Sequence, residues 1–194
     1  MSVEEQLERA RQWLEAAGND LQSAEVLRQA GIFNNACFFA QQAAEKAFKG
    51  FLVATGVDCP RSHSLDSLAA LVPADERLSK LSPARLDRYY IAPRYPDALP
   101  PGGSILKSYG SPDADDAIRT AQGIVDLMKA WTKDYVNAIA PTAESVRGTD
   151  IEAGLGALQK LVETLKGEGH PHKSASSPPA SPPAAPPKGP GRHR

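Results

Sequence analysis

Apolar residues recur at helical spacing along most of the first 138 positions, and no alternating apolar run is long enough to build a sheet. Val3, Leu7, Ala10, Leu14, Ala17, Leu21 and Ala24 step by four and three, a heptad seam that Trp13 and Leu27 widen. This spacing predicts a helix over residues 3–30, capped by Ser2, with Glu4 and Glu5 near the positive end of its dipole and Gly31 at its close. After a short break a second helix is expected from Asn34 or Asn35, either of which is a good N-cap, to about Thr55, with Gly56 as its C′ residue. So short a connection makes the two helices antiparallel neighbours.

The second helix is unusual in its polarity. Ala36, Phe39, Ala40, Ala43, Ala47, Gly50, Phe51 and Ala54 form one wide apolar face. Gln41, Gln42, Glu45, Lys46 and Lys49 share the opposite arc, but so do Phe38, Leu52 and Val53. A helix apolar on nearly every side lies centrally in its domain or at a subunit contact, so this polar cluster is expected to be confined. Confined amides and charges have to be paired or to meet a polar ligand. The steps Gln41–Glu45, Gln42–Lys46 and Glu45–Lys49 can pair it internally. A self-satisfied structural network and a site that meets a ligand or another chain both fit this pattern.

Farther along, Pro60 breaks the chain, and Ser62 or Ser64 is placed to cap a third helix with Leu65, Leu68, Ala69 and Val72 inward, stopped at Pro73. His63 stands at its start, as a capping or packing side chain or as a site residue. Ser82-Pro83 opens a further helix with Leu86, Tyr89, Tyr90 and Ile91 as its buried face, ended by Pro93. Arg94, beside Tyr95 in a proline-framed loop, suits either a phosphate clamp or the capping of a neighbouring helix's carbonyls. Ser111-Pro112-Asp113 starts a long helix, with Asp115 and Asp116 in its first turn. Ala114, Ala117, Ile118, Ala121, Val125, Met128, Trp131, Thr132 and Tyr135 keep its spacing to about Ala138. The expected fold is therefore all-α: an antiparallel up-and-down bundle of four to five helices over residues 3–140. A linker at 141–148 leads to an accessory amphipathic helix at 149–167, introduced by the capping box Thr149-Asp150-Ile151-Glu152. Residues 168–194 are a proline-rich tail with Lys173, Lys188, Arg192 and Arg194, expected to be disordered and solvated unless the basic end meets an acidic surface.

Composition narrows the chemistry. A formal net charge of −1, with 41% hydrophobic and 23% charged residues, demands neither nucleic acid nor an anionic membrane. No apolar run reaches transmembrane length and no signal peptide is evident, so the expectation is a cytoplasmic protein without a membrane partner. Cys37 and Cys59 make neither a disulfide framework nor a metal spacing, and Cys37 reads as a small core residue. Of the histidines, His170, His172 and His193 lie in the tail, so no zinc site is expected, and no cofactor. Pro101-Gly102-Gly103-Ser104 lacks the lysine and the preceding strand of a phosphate loop. General acid–base catalysis is the one chemistry left open.

Gln41-Gln42-Ala43-Ala44-Glu45-Lys46-Ala47-Phe48-Lys49, then Pro60-Arg61-Ser62-His63-Ser64-Leu65, then Tyr89-Tyr90 with Arg94-Tyr95-Pro96-Asp97, then an alanine-rich last helix, together resemble the HEPN domain family (higher eukaryotes and prokaryotes nucleotide-binding) from about residue 6 to 138. The resemblance implies a helical bundle, often a homodimer, often encoded beside a minimal nucleotidyltransferase. Many members are toxins or RNA-processing ribonucleases, and others bind nucleotides. The ribonuclease branch carries an arginine followed four to six residues later by a histidine. Here Arg61 and His63 are two apart, and Arg85, Arg88, Arg94, Arg119 and Arg147 have no such histidine downstream. No catalytic residue is therefore assigned.

The first expectation is a non-catalytic member that binds a nucleotide, another phosphate-bearing ligand or a partner nucleotidyltransferase in a toxin–antitoxin-like module. Lys46, Lys49, Arg61, His63, Tyr90 and Arg94 are the candidate phosphate-binding residues, beside the polar cluster Gln41, Gln42 and Glu45. The alternatives are a metal-independent ribonuclease with a displaced pair, Arg61 or Arg94 with His63, and a structural assembly module that docks through residues 151–166 and the tail. Apolar residues on both sides of the polar arc further lead to the expectation of a two-fold dimer.

Overall fold

The computed structural model describes residues 2–58 and 61–145, with side chains through Ile139. The expected accessory helix at 149–167, the tail and Cys59 lie outside the described residues. Three long helices carry the fold: α1 (Val3–Gln29), α2 (Phe33–Ala54) and, after the short helices α3 (Leu65–Ala69), α4 (Glu76–Leu81) and α5 (Ile105–Ser108), α6 (Ser111–Ser145). Among the described residues there is no strand.

The ends of α1 form as its composition dictates. Ser2 Oγ accepts from the Glu5 backbone N–H while the Glu5 carboxylate accepts from that of Ser2, a complete capping box. Gly31 (φ 75°) and Gly56 (φ 77°) take the left-handed conformation that ends α1 and α2. The N-terminus of α2 departs from expectation. Its N-cap is Ile32, with no side-chain hydrogen bond, because Asn34 is turned into the protein and donates to the Pro93 carbonyl at 3.0 Å. A buried amide there satisfies a carbonyl of the connector that water cannot reach.

Gln6 at the start of α1 donates to the Ala54 carbonyl at the end of α2, so these helices are antiparallel. Arg28 meets Asp115, and Phe51 packs on Trp131 at 5.5 Å, so α6 runs antiparallel to α1 and alongside α2 in the same sense. Between α2 and α6, the described residues 61–110 make the return leg of this up-and-down path in short pieces. Alanines line the seams: Ala10, Ala17 and Ala24 on α1, Ala36, Ala40, Ala43, Ala44 and Ala47 on α2, Ala114, Ala117 and Ala121 on α6, all fully buried. Small residues let α2 sit close to two helices at once, and Phe48, Leu52, Ile124 and Met128 fill the space between. Burying each of these large side chains stabilises the fold by about 1.5–3 kcal/mol.

The connector differs most from the sequence-based expectation. The third helix is only five residues long; Ser64 caps it, and Asp87 also accepts from Ser64 Oγ and the Leu65 N–H. α4, capped by Asp75, was not expected. Residues Pro83–Tyr89 form a 3-10 helix and not an α-helix, which narrows the buried face to Leu86 and Tyr89 and leaves Ile91 exposed. At the far end α6 passes its expected stop at Ala138 and takes in 141–145, the first part of the expected linker. A single proline, at 141, removes one backbone hydrogen bond and need not end a helix of good formers.

Two mid-helix glycines should respond oppositely to substitution. A Cβ on Gly18 would meet Lys129 Nζ at an ordinary 3.7 Å, whereas one on Gly50 would press Leu14 Cγ at 2.9 Å and the Ala10 carbonyl at 3.3 Å. Gly18→Ala is expected to stabilise by about 1 kcal/mol and Gly50→Val to destabilise by about 1–3 kcal/mol. Thermal unfolding of the two variants checks this, and a shared sign would contradict the packing described.

Candidate functional site

On the polar arc of α2, Gln41, Glu45 and Lys49 are buried, as the pattern predicts, whereas Gln42 and Lys46 are only half-buried. Gln41, Glu45 and Lys49 are 0%, 4% and 6% exposed. Of the i,i+4 pairs, Glu45–Lys49 forms at 2.8 Å and Gln41–Glu45 at 3.4 Å. Gln42–Lys46 does not. Gln42 Nε2 donates instead to Glu45 Oε2 (3.1 Å) and Gln41 Oε1 (2.6 Å), and Lys46 forms an ion pair with the buried Asp20 of α1. The Glu45 carboxylate takes a fourth donor from outside the helix, His63 Nδ1 at 3.0 Å. The His63 carbonyl in turn accepts from Gln41 Nε2 at 3.1 Å, so the segment before α3 is tied to α2 by backbone and side chain together.

Two donors on each oxygen fill the accepting capacity of a carboxylate. Burial pushes the Glu45 carboxyl up, but the hydrogen bond and charge of Lys49, and then those of His63, outweigh it, and the group lies below the ordinary glutamate value. An ionised Glu45 has no proton to give. His63 therefore donates from Nδ1, and the neutral imidazole keeps its lone pair on Nε2. The His63 side chain is half exposed and stacks on Tyr90, with ring centroids 4.6 Å apart and planes 16° apart.

Tyr90 connects this group to Arg94. The guanidinium lies over Phe38 (4.2 Å), Tyr95 (5.0 Å) and Tyr90 (5.1 Å) and donates Nε and Nη2 to the Tyr90 carbonyl. Arg94 thus caps a carbonyl of its own turn while its charge faces aromatic rings. Among the described residues no carboxylate pairs with it. The candidate phosphate binders accordingly divide. Lys46 and Lys49 are held by Asp20 and Glu45, whereas His63, Tyr90 and Arg94 meet at one partly open place and Arg61 stands exposed on the same segment as His63. Phe38, Tyr95 and Asp20 help to build this arrangement and were not singled out as site residues. Asp20 could have been: it interrupts the Ala17–Leu21–Ala24 stripe, and an acid on an apolar stripe needs a cation. Cys37 is no nucleophile, since burial and then the charge of Asp113 push its thiol up to about 12. Among the described residues no cluster could hold a metal ion, and no helix is long and apolar enough to cross a membrane.

Comparison with known proteins agrees with this architecture. Residues 10–131 match the HEPN domain. The chain belongs to the HEPN domain family. Its fold resembles that of TT1696 from Thermus thermophilus, 38% identical with a TM-score of 0.57 over 66% of this chain and 98% of that one. It also resembles ST0689, an archaeal HEPN homologue, 32% identical with a TM-score of 0.55 over 63% of this chain and 97% of that one. A protein of Methanocaldococcus jannaschii named "Putative toxin MJ1304" is 26% identical over 138 residues, 64% of this chain and 89% of its own length.

The folded value of Glu45 lies below the unfolded one, so its stabilising contribution is complete above the ordinary glutamate value and is lost as pH falls through the folded value. Lys49→Met removes the strongest opposition to burial and is expected to cost about 3 kcal/mol at neutral pH and to weaken the loss of stability on acidification. Denaturant titrations across the acid range check both; an unchanged midpoint would contradict the role given to Lys49.

Proposed function

We propose that this HEPN protein is a non-catalytic binder of phosphate-bearing ligands, nucleotides in the first place, at the surface formed by Arg94, His63 and Tyr90 with Arg61 at its rim. One observation carries the reading: Arg94 is a guanidinium held in place by three rings and a carbonyl, with no carboxylate partner among the described residues. A fixed cation with donor capacity left is what an anionic oxygen requires. The half-exposed rings of His63 and Tyr95 offer faces on which a base can stack. A partner nucleotidyltransferase in a toxin–antitoxin-like module is supported by family membership and by the name of the M. jannaschii relative.

A second reading has its own support. His63 and Glu45, 18 positions apart, make a base with an orienting carboxylate, which the residue spacing had not brought together. A ribonuclease with the displaced pair Arg94 and His63 follows if His63 Nε2 takes the proton of a ribose hydroxyl. Absence of RNA cleavage by the unmodified protein, or full cleavage by His63→Ala, removes this reading.

The two-fold dimer keeps only the family resemblance in its favour. Of the apolar residues on the polar arc, Leu52 and Val53 are 1% and 8% exposed within a single chain, and Phe38, half-buried, is covered by Arg94, so the bundle itself accounts for them. Light scattering decides the point.

Titration with fluorescent nucleotides tests the binding reading. Arg94→Ala is expected to weaken binding at least about tenfold, the loss of a charge-assisted hydrogen-bonded contact, while Lys46→Met, whose native partner is Asp20, leaves affinity within about twofold. Equal binding by Arg94→Ala and the unmodified chain would overturn the assignment.

A further inference from the structure

We propose that an anion enters this site together with one proton, taken up at His63 Nε2, so that occupancy is controlled by pH; the inference rests on the binding reading above and names its regulation.

The geometry has three parts. First, Nδ1 is engaged: at 3.0 Å it meets the carboxylate of Glu45, which is 4% exposed and whose other acceptor positions are filled by Lys49, Gln41 and Gln42. The only place on the imidazole for a further proton is Nε2, on a side chain that is half exposed. Second, Glu45 is already neutralised by Lys49 at 2.8 Å on the same oxygen that receives His63. A second positive charge on this oxygen is thus left without its own counter-ion, and an incoming anion supplies one. Third, the other charged groups around His63 add to this need. Arg94 lies against the same Tyr90 ring, and Arg61 is exposed two residues before His63. The neighbouring carboxylate Asp87 is committed to Ser64 Oγ and to the N–H groups of Leu65 and Asp66. From α1, the Trp13 ring lies 5.8 Å from the Lys49 ammonium, and Asp20 is paired with Lys46. Tyr90 presents its ring face.

Neutral His63 offers an anionic oxygen only a lone pair, which repels it. Protonated His63 offers an N–H and a charge. Affinity and proton uptake are consequently linked: where the free protein is neutral at His63, each ligand bound brings close to one proton with it.

Sulfate is the suitable probe, because its own charge is constant across the imidazole range. Calorimetric titration of the full chain is expected to show sulfate binding at least about fivefold tighter near pH 5.5 than near pH 8.5. In two buffers of different ionisation enthalpy, near neutral pH, it is expected to show uptake of a substantial fraction of a proton. His63→Gln, which retains a donor for Glu45, should lose the pH dependence and the proton uptake and bind sulfate more weakly than the unmodified chain near pH 5.5. Sulfate binding of equal strength at both pH values, or without proton uptake, overturns this inference and leaves the binding reading standing. Absence of sulfate and nucleotide binding at every pH overturns both.

Discussion

One buried carboxylate organises the described part of this chain. Glu45 sits in the most enclosed stretch of α2, where an unsatisfied charge would be costly. Its four donors come from three further residues of its own helix and from one residue 18 positions away. That last donor has a structural and a chemical consequence at once. It brings the segment before α3 against α2, and it fixes which nitrogen of His63 carries a proton. Lys49 provides the charge that lets the carboxylate remain ionised under burial. Without that ion pair neither the placement of His63 nor its lone pair on Nε2 would follow.

The surface that results is assembled from the bundle's rigid and irregular parts together. The alanine seams hold α2 between α1 and α6, and Asn34 anchors the connector through the Pro93 carbonyl. The turn after Pro83–Tyr89 can then lay Tyr90 on His63 and Arg94 on Phe38. Membership of the HEPN family explains the scaffold. The division of the cations, with the lysines paired to carboxylates and Arg94 facing rings, supports the binding proposal.

Much of the scaffold was legible before any coordinates. The heptad seam of α1, the glycines that close α1 and α2, the serine cap at Ser2, a serine cap on α3 (Ser64, of the two candidates Ser62 and Ser64), and the confinement of Gln41, Glu45 and Lys49 all follow from periodicity and local hydrogen-bonding capacity. What periodicity cannot encode is pairing across elements. Lys46 had a candidate partner within its own helix, but Asp20 of α1 offered it a full charge. Gln42 was then free to turn to Glu45. The 3-10 geometry of Pro83–Tyr89 was likewise hidden, because its three-residue repeat differs too little from a helical one over seven positions. The sequence singles out His63 but not its carboxylate partner, since two residues that far apart meet only once the connector has folded back.

The protonation state that Glu45 imposes on His63 is central, and nitrogen NMR of the imidazole observes it directly. Above the imidazole titration range, the expected spectrum is that of a single form with hydrogen on Nδ1 and a bare Nε2. A ring protonated on Nε2, or one exchanging between the two forms as a free histidine does, would contradict it.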